Sequence, residues 1–325
     1  MLEKILGALL PAVITILLGY FAARHHDFEQ KEVPTLNRMV MGYALPLSLF
    51  VGVVSAGRVD LLADLPLVVI LAIAIIGMYW AIFLLARFGF RYSAALSALG
   101  ALTASAPSTA FIGSAVLGYL YGEKGDIPVA IGSIIIVVAL VPVTIIILSL
   151  EASGRPASQR GPAHADGASS APPGPDVMGK IVDALKQPVV WLPLLGFVLV
   201  LFDVDVPDVF ANSLALLGHA SAGVALFASG IILAGYKVIV NGPVLFLVFV
   251  KNVVQPALVL GGMLWLGYGD PILGEAVLTA ALPPVALIVM LGVQYKVAAR
   301  ETASALFLST MGSLLTMSAF IWFLL

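Results

Sequence analysis

The sequence predicts an all-α integral membrane protein whose ten transmembrane helices form two inverted repeats of five, with helices 4 and 9 broken where they cross at the bilayer midplane. Three observations support this fold class. Hydrophobic residues make up 61% of the chain and charged residues only 10%, whereas a soluble domain is about half apolar and about a quarter charged. Long stretches without charge recur along the chain. Two of these stretches carry prolines at their centres.

The predicted helices correspond to long stretches that contain at most one charged residue each. Their lengths are close to the roughly 20 residues that a helix needs to cross the hydrocarbon core. In chain order they cover residues 5–23, 39–57, 65–86, 92–122, 127–150, 187–202, 209–236, 238–269, 276–295 and 302–325. The first stretch contains Pro11 and follows only Glu3 and Lys4, which differs from a cleaved signal peptide, so we expect it to be retained as the first helix.

A segment of different composition divides the chain into two halves. Residues 151–178, "EASGRPASQRGPAHADGASSAPPGPDVM", are rich in Ala, Pro, Gly and Ser and hold almost nothing large and apolar to bury. Such a composition is typical of a disordered linker. We therefore expect a first repeat over 1–150, a linker over 151–180 that acts as a tether rather than a regulator, and a second repeat over 181–325.

The distribution of Lys and Arg predicts the orientation. The loops after the odd-numbered helices hold twelve of these residues, and the opposite side, with both termini, holds three. Because cytoplasmic loops carry the excess of positive charge, we expect the linker to be cytoplasmic and both termini to lie on the outer, periplasmic side of the cytoplasmic (inner) membrane.

The two halves resemble each other at an offset of about 175 residues, which predicts an internal repeat. Asn37 falls opposite Asn212, and Pro107 falls opposite Pro283 and Pro284. Since each half has an odd number of helices, the second half must insert upside down relative to the first. This is the inverted repeat of secondary transporters.

The prolines predict two broken helices that meet at mid-membrane. Proline removes a backbone donor, and broken backbone is tolerated in a membrane only where protein buries it or where it lines a cavity. Ser105, Ser108 and Thr109 surround the first break and could satisfy freed backbone groups or bind a solute. Leu282 precedes the second break, where only backbone groups and shape are available. Two half-helices would aim their N-terminal dipole ends at one point, which favours an anion; a pair of kinks with no site attached is the alternative.

Lys251 is the one charge placed well inside a predicted helix, and Asn252 and Gln255 follow it. A central Lys costs at least ~2.5 kcal/mol on insertion scales, so a function is the first hypothesis. Two alternatives stay open: the stem could snorkel to the cytoplasmic surface, or the ammonium could cap carbonyls of a broken helix. His219 lies near the middle of helix 7 and could titrate, although a satisfied interior histidine is the favoured interpretation.

Several function classes find no support in the sequence. The chain has no cysteine, which removes disulfides and Cys-ligated metals. We find no catalytic constellation, nucleotide-binding loop, metal-ligand spacing or basic nucleic-acid patch. We therefore expect neither an enzyme nor a cofactor or metal site, and no nucleic-acid partner; coupling to H⁺ or Na⁺ stays open.

Four segments are similar to one known family. "LNRMVMGYALPLSLF", "SAPSTAFIG", "VKNVVQPAL" and "ALPPVALIVMLGVQYKVAARETAS" resemble, in order and spacing, the signatures of the auxin efflux carrier (AEC) family. The match covers the chain except its linker. That family includes the plant PIN auxin exporters and bacterial members assigned to malonate transport.

The resemblance implies a fold like that of the bile acid sodium symporters, with helices 4 and 9 crossing inside a mobile domain that moves against a scaffold. Pro107 and Pro283 or Pro284 would then mark the crossover. Ser105, Ser108 and Thr109 would contact the substrate or an ion. Many family members carry an Asn beside the first crossover proline, whereas here the neighbours are Ala106 and Ser108, so the substrate is not carried over.

The function expected from the sequence is secondary active, elevator-type transport of a small organic anion such as a mono- or dicarboxylate. A sodium-coupled symporter of an amphipathic anion and a transporter-like membrane sensor are the alternatives. The expected partners are that anion and the lipid bilayer, and a homodimer stays open. The predicted substrate-binding residues are Asn37, Ser105, Pro107, Ser108, Thr109, His219, Lys251, Asn252, Gln255, Leu282, Pro283 and Pro284.

Overall fold

The described part of the chain is helical and contains no strand. The computed structural model describes residues 2–55, 65–153, 179, 182–183, 185–202, 204, 206–218, 220–235 and 238–324. Most of the predicted linker, like His219, therefore lies outside the described residues. Six helices are long and apolar enough to cross a membrane: α2 (Gln30–Val54), α3 (Leu65–Gly89), α6 (Ile127–Ala152), α8 (Val209–Gly235), α9 (Gly242–Trp265) and α12 (Ala299–Leu324). They confirm an all-helical membrane protein.

The four remaining predicted stretches form the other helices. Two of these stretches are single helices, α1 (Leu2–Arg24) and α7 (Pro188–Leu201). The other two are interrupted and give helix pairs: α4 (Ala94–Ser105) with α5 (Ser114–Tyr121), and α10 (Ile272–Ala281) with α11 (Leu287–Tyr295). A π-helical turn, Thr109–Gly113, leads directly into α5. The interruptions fall where the sequence places its central prolines.

Proline also shapes the long helices. Three π-helical turns, at Val40–Ala44, Ile136–Leu140 and Val250–Val254, each end two residues before a buried proline, namely Pro46, Pro142 and Pro256. A proline inside a helix lacks an N–H and clashes with the carbonyl four residues earlier. The preceding turn widens to relieve that clash, which is a known cause of local helix distortion. In α9, this wide turn carries Lys251.

Glycines bring two helices of one group into backbone contact. A Cβ atom added to Gly19 in α1 would lie 2.0 Å from the Phe227 carbonyl oxygen in α8, and one added to Gly230 in α8 would lie 2.0 Å from the Ile16 carbonyl oxygen in α1. No larger residue fits at either position. The α1–α8 contact is the most extensive in the described part of the chain, and α7 packs along α2 in the same group.

The other helices surround the two interruptions. Here α3 packs on α4 and α6, while α9 packs on α10 and α12. The Tyr79 hydroxyl of α3 and the Thr144 hydroxyl of α6 share a hydrogen bond of 2.9 Å at a fully buried position. This second group holds both broken helices and therefore positions the candidate site.

Candidate functional site

The first break follows from the residue pair Ala106–Pro107. Helix α4 starts with Ser93, whose side chain accepts a hydrogen bond from the Leu96 N–H, and ends at Ser105. Ala106 is extended, at φ −91° and ψ 104°. A proline disfavours the α conformation of the residue before it, and α4 ends immediately before Ala106.

The second break has the same cause. Helix α10 ends at Ala281, and Leu282 takes φ −58° and ψ 144° ahead of Pro283. Pro283 is itself followed by Pro284, so the helical conformation is disfavoured at two successive residues. The chain resumes as α11 at Leu287.

The two breaks meet and satisfy each other's backbone groups. Pro107 and Pro284 pair as an isolated antiparallel bridge. The Ser108 N–H donates to the Pro283 carbonyl at 2.8 Å, and the Val285 N–H donates to the Ala106 carbonyl at 3.1 Å. The predicted contact between the two broken helices is therefore present. Carbonyls that proline would leave unpaired in hydrocarbon find donors in the opposite helix.

The hydroxyls predicted to line the first break have different roles. Ser105 turns back on its own helix and donates to the Ala101 carbonyl at 2.8 Å. Thr109 shares a hydrogen bond of 2.7 Å with Ser133 of α6. Ser108 is only 5% exposed, and among the described groups none forms a hydrogen bond with its hydroxyl. Of the three, Ser108 alone has a hydroxyl without a partner among the described residues.

Lys251 and Gln255 form a buried brace behind the crossing. Lys251 is 0% exposed, and its Nζ donates to the Gln255 Oε1 and to the Ala280 carbonyl, both at 2.7 Å. The Gln255 Nε2 donates in turn to the Ser105 carbonyl at 3.0 Å. Ser105 and Ala280 lie in the last turns of α4 and α10, where carbonyls lack partners within the helix. Lys251 caps the end of α10 and Gln255 caps the end of α4. The Lys251 side chain does not reach the surface, as snorkelling would require.

The other predicted residues lie elsewhere. Asn252 binds α12: its Nδ2 donates to the Ser309 carbonyl at 2.8 Å and its Oδ1 accepts from the Ser309 hydroxyl. Asn37 is buried in α2, and its Oδ1 has no partner in the described part of the chain. Its counterpart in the second half, Asn212, is exposed. Asn37 and Asn212, which correspond to each other in the sequence repeat, therefore differ in burial.

Sequence reasoning missed the contribution of α6. Besides Ser133, Gly132 lets α6 approach the crossing, because a Cβ added there would lie 2.7 Å from the Thr109 Cγ2. A Gly-Ser pair in an apolar helix carries no signal of its own. The described residues contain no group of three or more His, Asp or Glu side chains that could hold a metal ion.

Helices of membrane length that enclose two crossed, interrupted helices define an integral membrane protein with polar backbone at its centre. Comparison with known proteins then identifies its family. The chain belongs to the Membrane transport protein (Mem_trans) family, whose model matches residues 4–321. The protein is therefore a membrane transporter, and the resemblance to the auxin efflux carriers is confirmed.

Relatives match the chain over nearly its full length. It is 31% identical, over 99% of this chain and 98% of the relative, to a protein of Escherichia coli (strain K12) named "Uncharacterized transporter YfdV". Proteins of the same name in Escherichia coli O157:H7 and Shigella flexneri match with the same identity and coverage.

Proposed function

We propose that this protein is a secondary active transporter that carries a small organic anion across the cytoplasmic membrane by elevator-type alternating access. The observation that carries the proposal is the crossing of the two broken helices, held by the Ser108–Pro283 and Val285–Ala106 hydrogen bonds. In the core of a soluble protein, unwound backbone of this kind would have no functional role. In a membrane, unwound backbone is tolerated where protein buries it or where a solute must pass.

The chemistry of the crossing favours an anion. The helical segment from Thr109 and helix α11 from Leu287 both start at the crossing. The first N–H groups of a helix lack an acceptor four residues earlier, although the Thr109 N–H donates to the Pro107 carbonyl at 2.9 Å and the Ile288 N–H to the Val285 carbonyl at 3.3 Å. Such helix ends attract negative charge. Ser108 is 5% exposed, and its hydroxyl, which has no hydrogen-bond partner among the described groups, can donate to a carboxylate oxygen. We propose the side chains of Ser108 and Thr109 as the substrate contacts.

The packing of the helices supports a moving and a fixed part. The glycine contacts Gly19–Phe227 and Gly230–Ile16 join α1 to α8 at backbone distance, so these two helices cannot slide past each other without separating. We assign α1, α2, α7 and α8 to the scaffold and the helices around the crossing to the mobile part. The ten-helix inverted repeat, the outward termini and the cytoplasmic linker over 151–180 belong to the same proposal.

Uptake measurements on reconstituted vesicles test this function. Purified protein is reconstituted into proteoliposomes, and the flux of radiolabelled mono- and dicarboxylates into or out of the vesicles is measured. Each compound is measured without a gradient, with a pH gradient and with a sodium gradient. We expect saturable flux of at least one organic anion, and the gradients identify the coupling ion. Flux that protein-free vesicles match for every anion would refute the proposal.

A matched pair of serine variants tests the site. Ser108→Ala removes this hydroxyl from the crossing, and we expect the apparent affinity to fall by about ten- to a hundredfold, since a hydrogen bond to a charged group contributes about 1.5–3 kcal/mol. Ser213→Ala is the control, because Ser213 is exposed and bonds only to the Val209 carbonyl of its own helix. Equal affinity in the two variants would remove Ser108 from the site.

A further inference from the structure

A cleft runs along the exposed side of α3 and α9, away from the crossing. Its wide end has a volume of about 940 Å³ and is bordered by the end of α3, the starts of α4 and α9, and the turn between α11 and α12. The cleft continues between α3 and α9 as a groove of about 530 Å³, which shares Ile82 and Phe246 with the wide end and extends to Leu266. From Phe246 to Leu266 the helix rises by about 30 Å, so the groove is long and narrow.

No helix in the described part of the chain fills this groove. Small residues in membrane helices commonly let two helices approach closely. Gly77 of α3 and Gly262 of α9 line the groove, yet a Cβ atom added to either would have no neighbour within 4 Å. The large apolar side chains of Ile73 and Leu258, which also line it, are exposed. The groove is therefore an open apolar space that can accept a flexible hydrocarbon chain.

Three cationic side chains surround the wide end of the cleft. Arg87 lies at the end of α3, and its Nη1 donates to the carbonyl of Tyr92, a lining residue, at 2.9 Å. Arg91 precedes Tyr92 in the chain, and Lys296 lines the cleft from the turn after α11. All three are exposed, and within the described part of the chain none of them takes part in an ion pair.

The wide end carries a net positive charge. Among the described residues that line the cleft, Glu301 is the one acidic residue. It lies in the first turn of α12, where the positive end of the helix dipole stabilises a carboxylate. Three cations against one carboxylate, itself partly balanced by its own helix, leave the wide end attractive to an anion.

The wide end also has the features of a membrane surface. Phe90 stacks on Tyr92 with 5.9 Å between ring centroids and meets Phe246 edge-on at 6.4 Å. Tyr, Lys and Arg side chains are typical of the level at which a membrane helix leaves the hydrocarbon core. In the orientation proposed above, this is the cytoplasmic side, where the membrane surface is negatively charged.

We propose that this cleft binds one anionic glycerophospholipid, with its phosphate headgroup among Arg87, Arg91 and Lys296 and an acyl chain in the groove between α3 and α9. Basic pockets between membrane helices at the cytoplasmic surface bind headgroups of this kind. Gln255 also lines the groove, so the acyl chain lies beside the brace that caps the broken helices. The site goes beyond the proposed function and does not depend on which solute is carried.

Two lipids that differ only in headgroup test the proposal. Purified protein in detergent is titrated with phosphatidylglycerol or with phosphatidylcholine of the same acyl chains, and thermal unfolding is followed. We expect saturable stabilisation by phosphatidylglycerol with an apparent affinity at least tenfold tighter than that of phosphatidylcholine, and none by glycerol 3-phosphate, which lacks the chains. Equal affinity for the two lipids would overturn the proposal, as would full stabilisation by glycerol 3-phosphate, because no groove is then needed.

Charge variants locate the headgroup. Arg91→Gln with Lys296→Gln should weaken phosphatidylglycerol binding by about thirtyfold and leave phosphatidylcholine binding unchanged. Thirtyfold is about 2 kcal/mol, the amount that two basic side chains near a membrane surface contribute. Arg91→Lys with Lys296→Arg keeps both charges and should preserve the preference. Arg38→Gln with Lys186→Gln is the matched control, since it removes two exposed cations elsewhere. An equal loss in the two glutamine variants would mean that overall charge, and not this cleft, attracts the lipid.

A groove variant locates the acyl chain. Gly77→Leu places a side chain in the groove without meeting another residue, and we expect weaker binding of both lipids. Gly223→Leu in α8 is the control, because its Cβ would also have nothing within 4 Å. Unchanged lipid affinity in Gly77→Leu would remove the groove from the site. If that variant instead separates a dimer into monomers while lipid has no effect, a second copy of the chain covers the groove and the proposal is wrong. If the glutamine variant does not fold, the wild-type lipid comparison and Gly77→Leu still decide.

Discussion

Replacing Gly132 by alanine should push α6 against the crossing. The new Cβ would lie 2.7 Å from the Thr109 Cγ2 and 3.5 Å from the Thr279 Cγ2. Carbon atoms pack best at about 3.5–4.0 Å, so the first contact must open by about 1 Å. Overpacking of this kind costs about 1–3 kcal/mol. A Gly-to-Ala change inside a helix returns up to about 1 kcal/mol through helix propensity, which leaves a net loss of about 1 kcal/mol.

A compensating change isolates that contact. Thr109→Ser deletes the Cγ2 methyl and keeps the hydroxyl that bonds to Ser133 at 2.7 Å. Once the methyl is gone, the nearest atom of residue 109 to the new Cβ is its own Cβ at 3.7 Å, which is an ordinary contact. The double variant should therefore be more stable than the sum of the two single variants predicts, by about 1–2 kcal/mol.

The assay is thermal unfolding in detergent of the wild type, both single variants and the double variant, followed by uptake in proteoliposomes. Gly77→Ala in α3 is the control for helix propensity, because nothing lies within 4 Å of a Cβ at that position. We expect the control to match or exceed wild-type stability, and Thr109→Ser to restore the uptake that Gly132→Ala lowers. Effects that add to within about 0.5 kcal/mol would refute this account of how α6 positions the crossing.

Three further predictions concern stability in the same unfolding assay. Gly230→Ala should lower stability by about 3 kcal/mol, because its Cβ would lie 2.0 Å from the Ile16 carbonyl oxygen and the backbone cannot move away. Gly223→Ala, with nothing within 4 Å of its Cβ, is the control and should leave stability unchanged. Equal effects of the two changes would contradict the α1–α8 contact. Asn252→Leu should lower stability by about 1–2 kcal/mol, since it leaves the Ser309 carbonyl and hydroxyl without the Asn252 side chain; no change would mean that lipid or water replaces it. Lys296→Gly should raise stability by about 1 kcal/mol, because this residue ends α11 at φ 53°, where a side chain is strained; a loss would show that the lysine side chain matters more than its backbone.

The positions of the breaks could be predicted from the sequence because proline gives a local signal. Proline disfavours the helical conformation of the residue before it, and Ala106 and Leu282 are extended. This signal does not decide the conformation alone, since Leu45, Val141 and Gln255 stay helical before Pro46, Pro142 and Pro256. Predicting that the two breaks pair required one further observation, namely that Pro107 in the first half corresponds to Pro283 and Pro284 in the second. The hydrogen bond of Ser105 within its own helix could also be predicted, since a serine inside a helix commonly bonds to the carbonyl four residues earlier.

The partners of Lys251 could not be predicted beyond their chemical type. Its position in an apolar stretch indicated that the charge must be compensated, and capping of broken-helix carbonyls was one of three alternatives. Which carbonyls are available depends on where α4 and α10 end in space, and that is a property of the tertiary packing. The close approach of Gly132 is likewise invisible in the sequence, because a small residue is selected by its neighbour and the neighbour is distant in the chain.

The asymmetry between the halves follows from the geometry of the crossing. The first half has no counterpart to Lys251: the corresponding position, near Ala74, is neutral, and the Ala74 carbonyl lies 3.5 Å from the Gln255 Nε2. If each half capped its own broken helix with a lysine, two buried ammonium groups would face carboxyl ends that together carry only about one negative charge. The surplus would be a desolvated, uncompensated cation, which membrane interiors strongly disfavour. Because the two helix ends meet, one lysine and one neutral amide that relays its hydrogen bond are sufficient to cap both ends. A protein with a symmetric pair of buried lysines would be less stable.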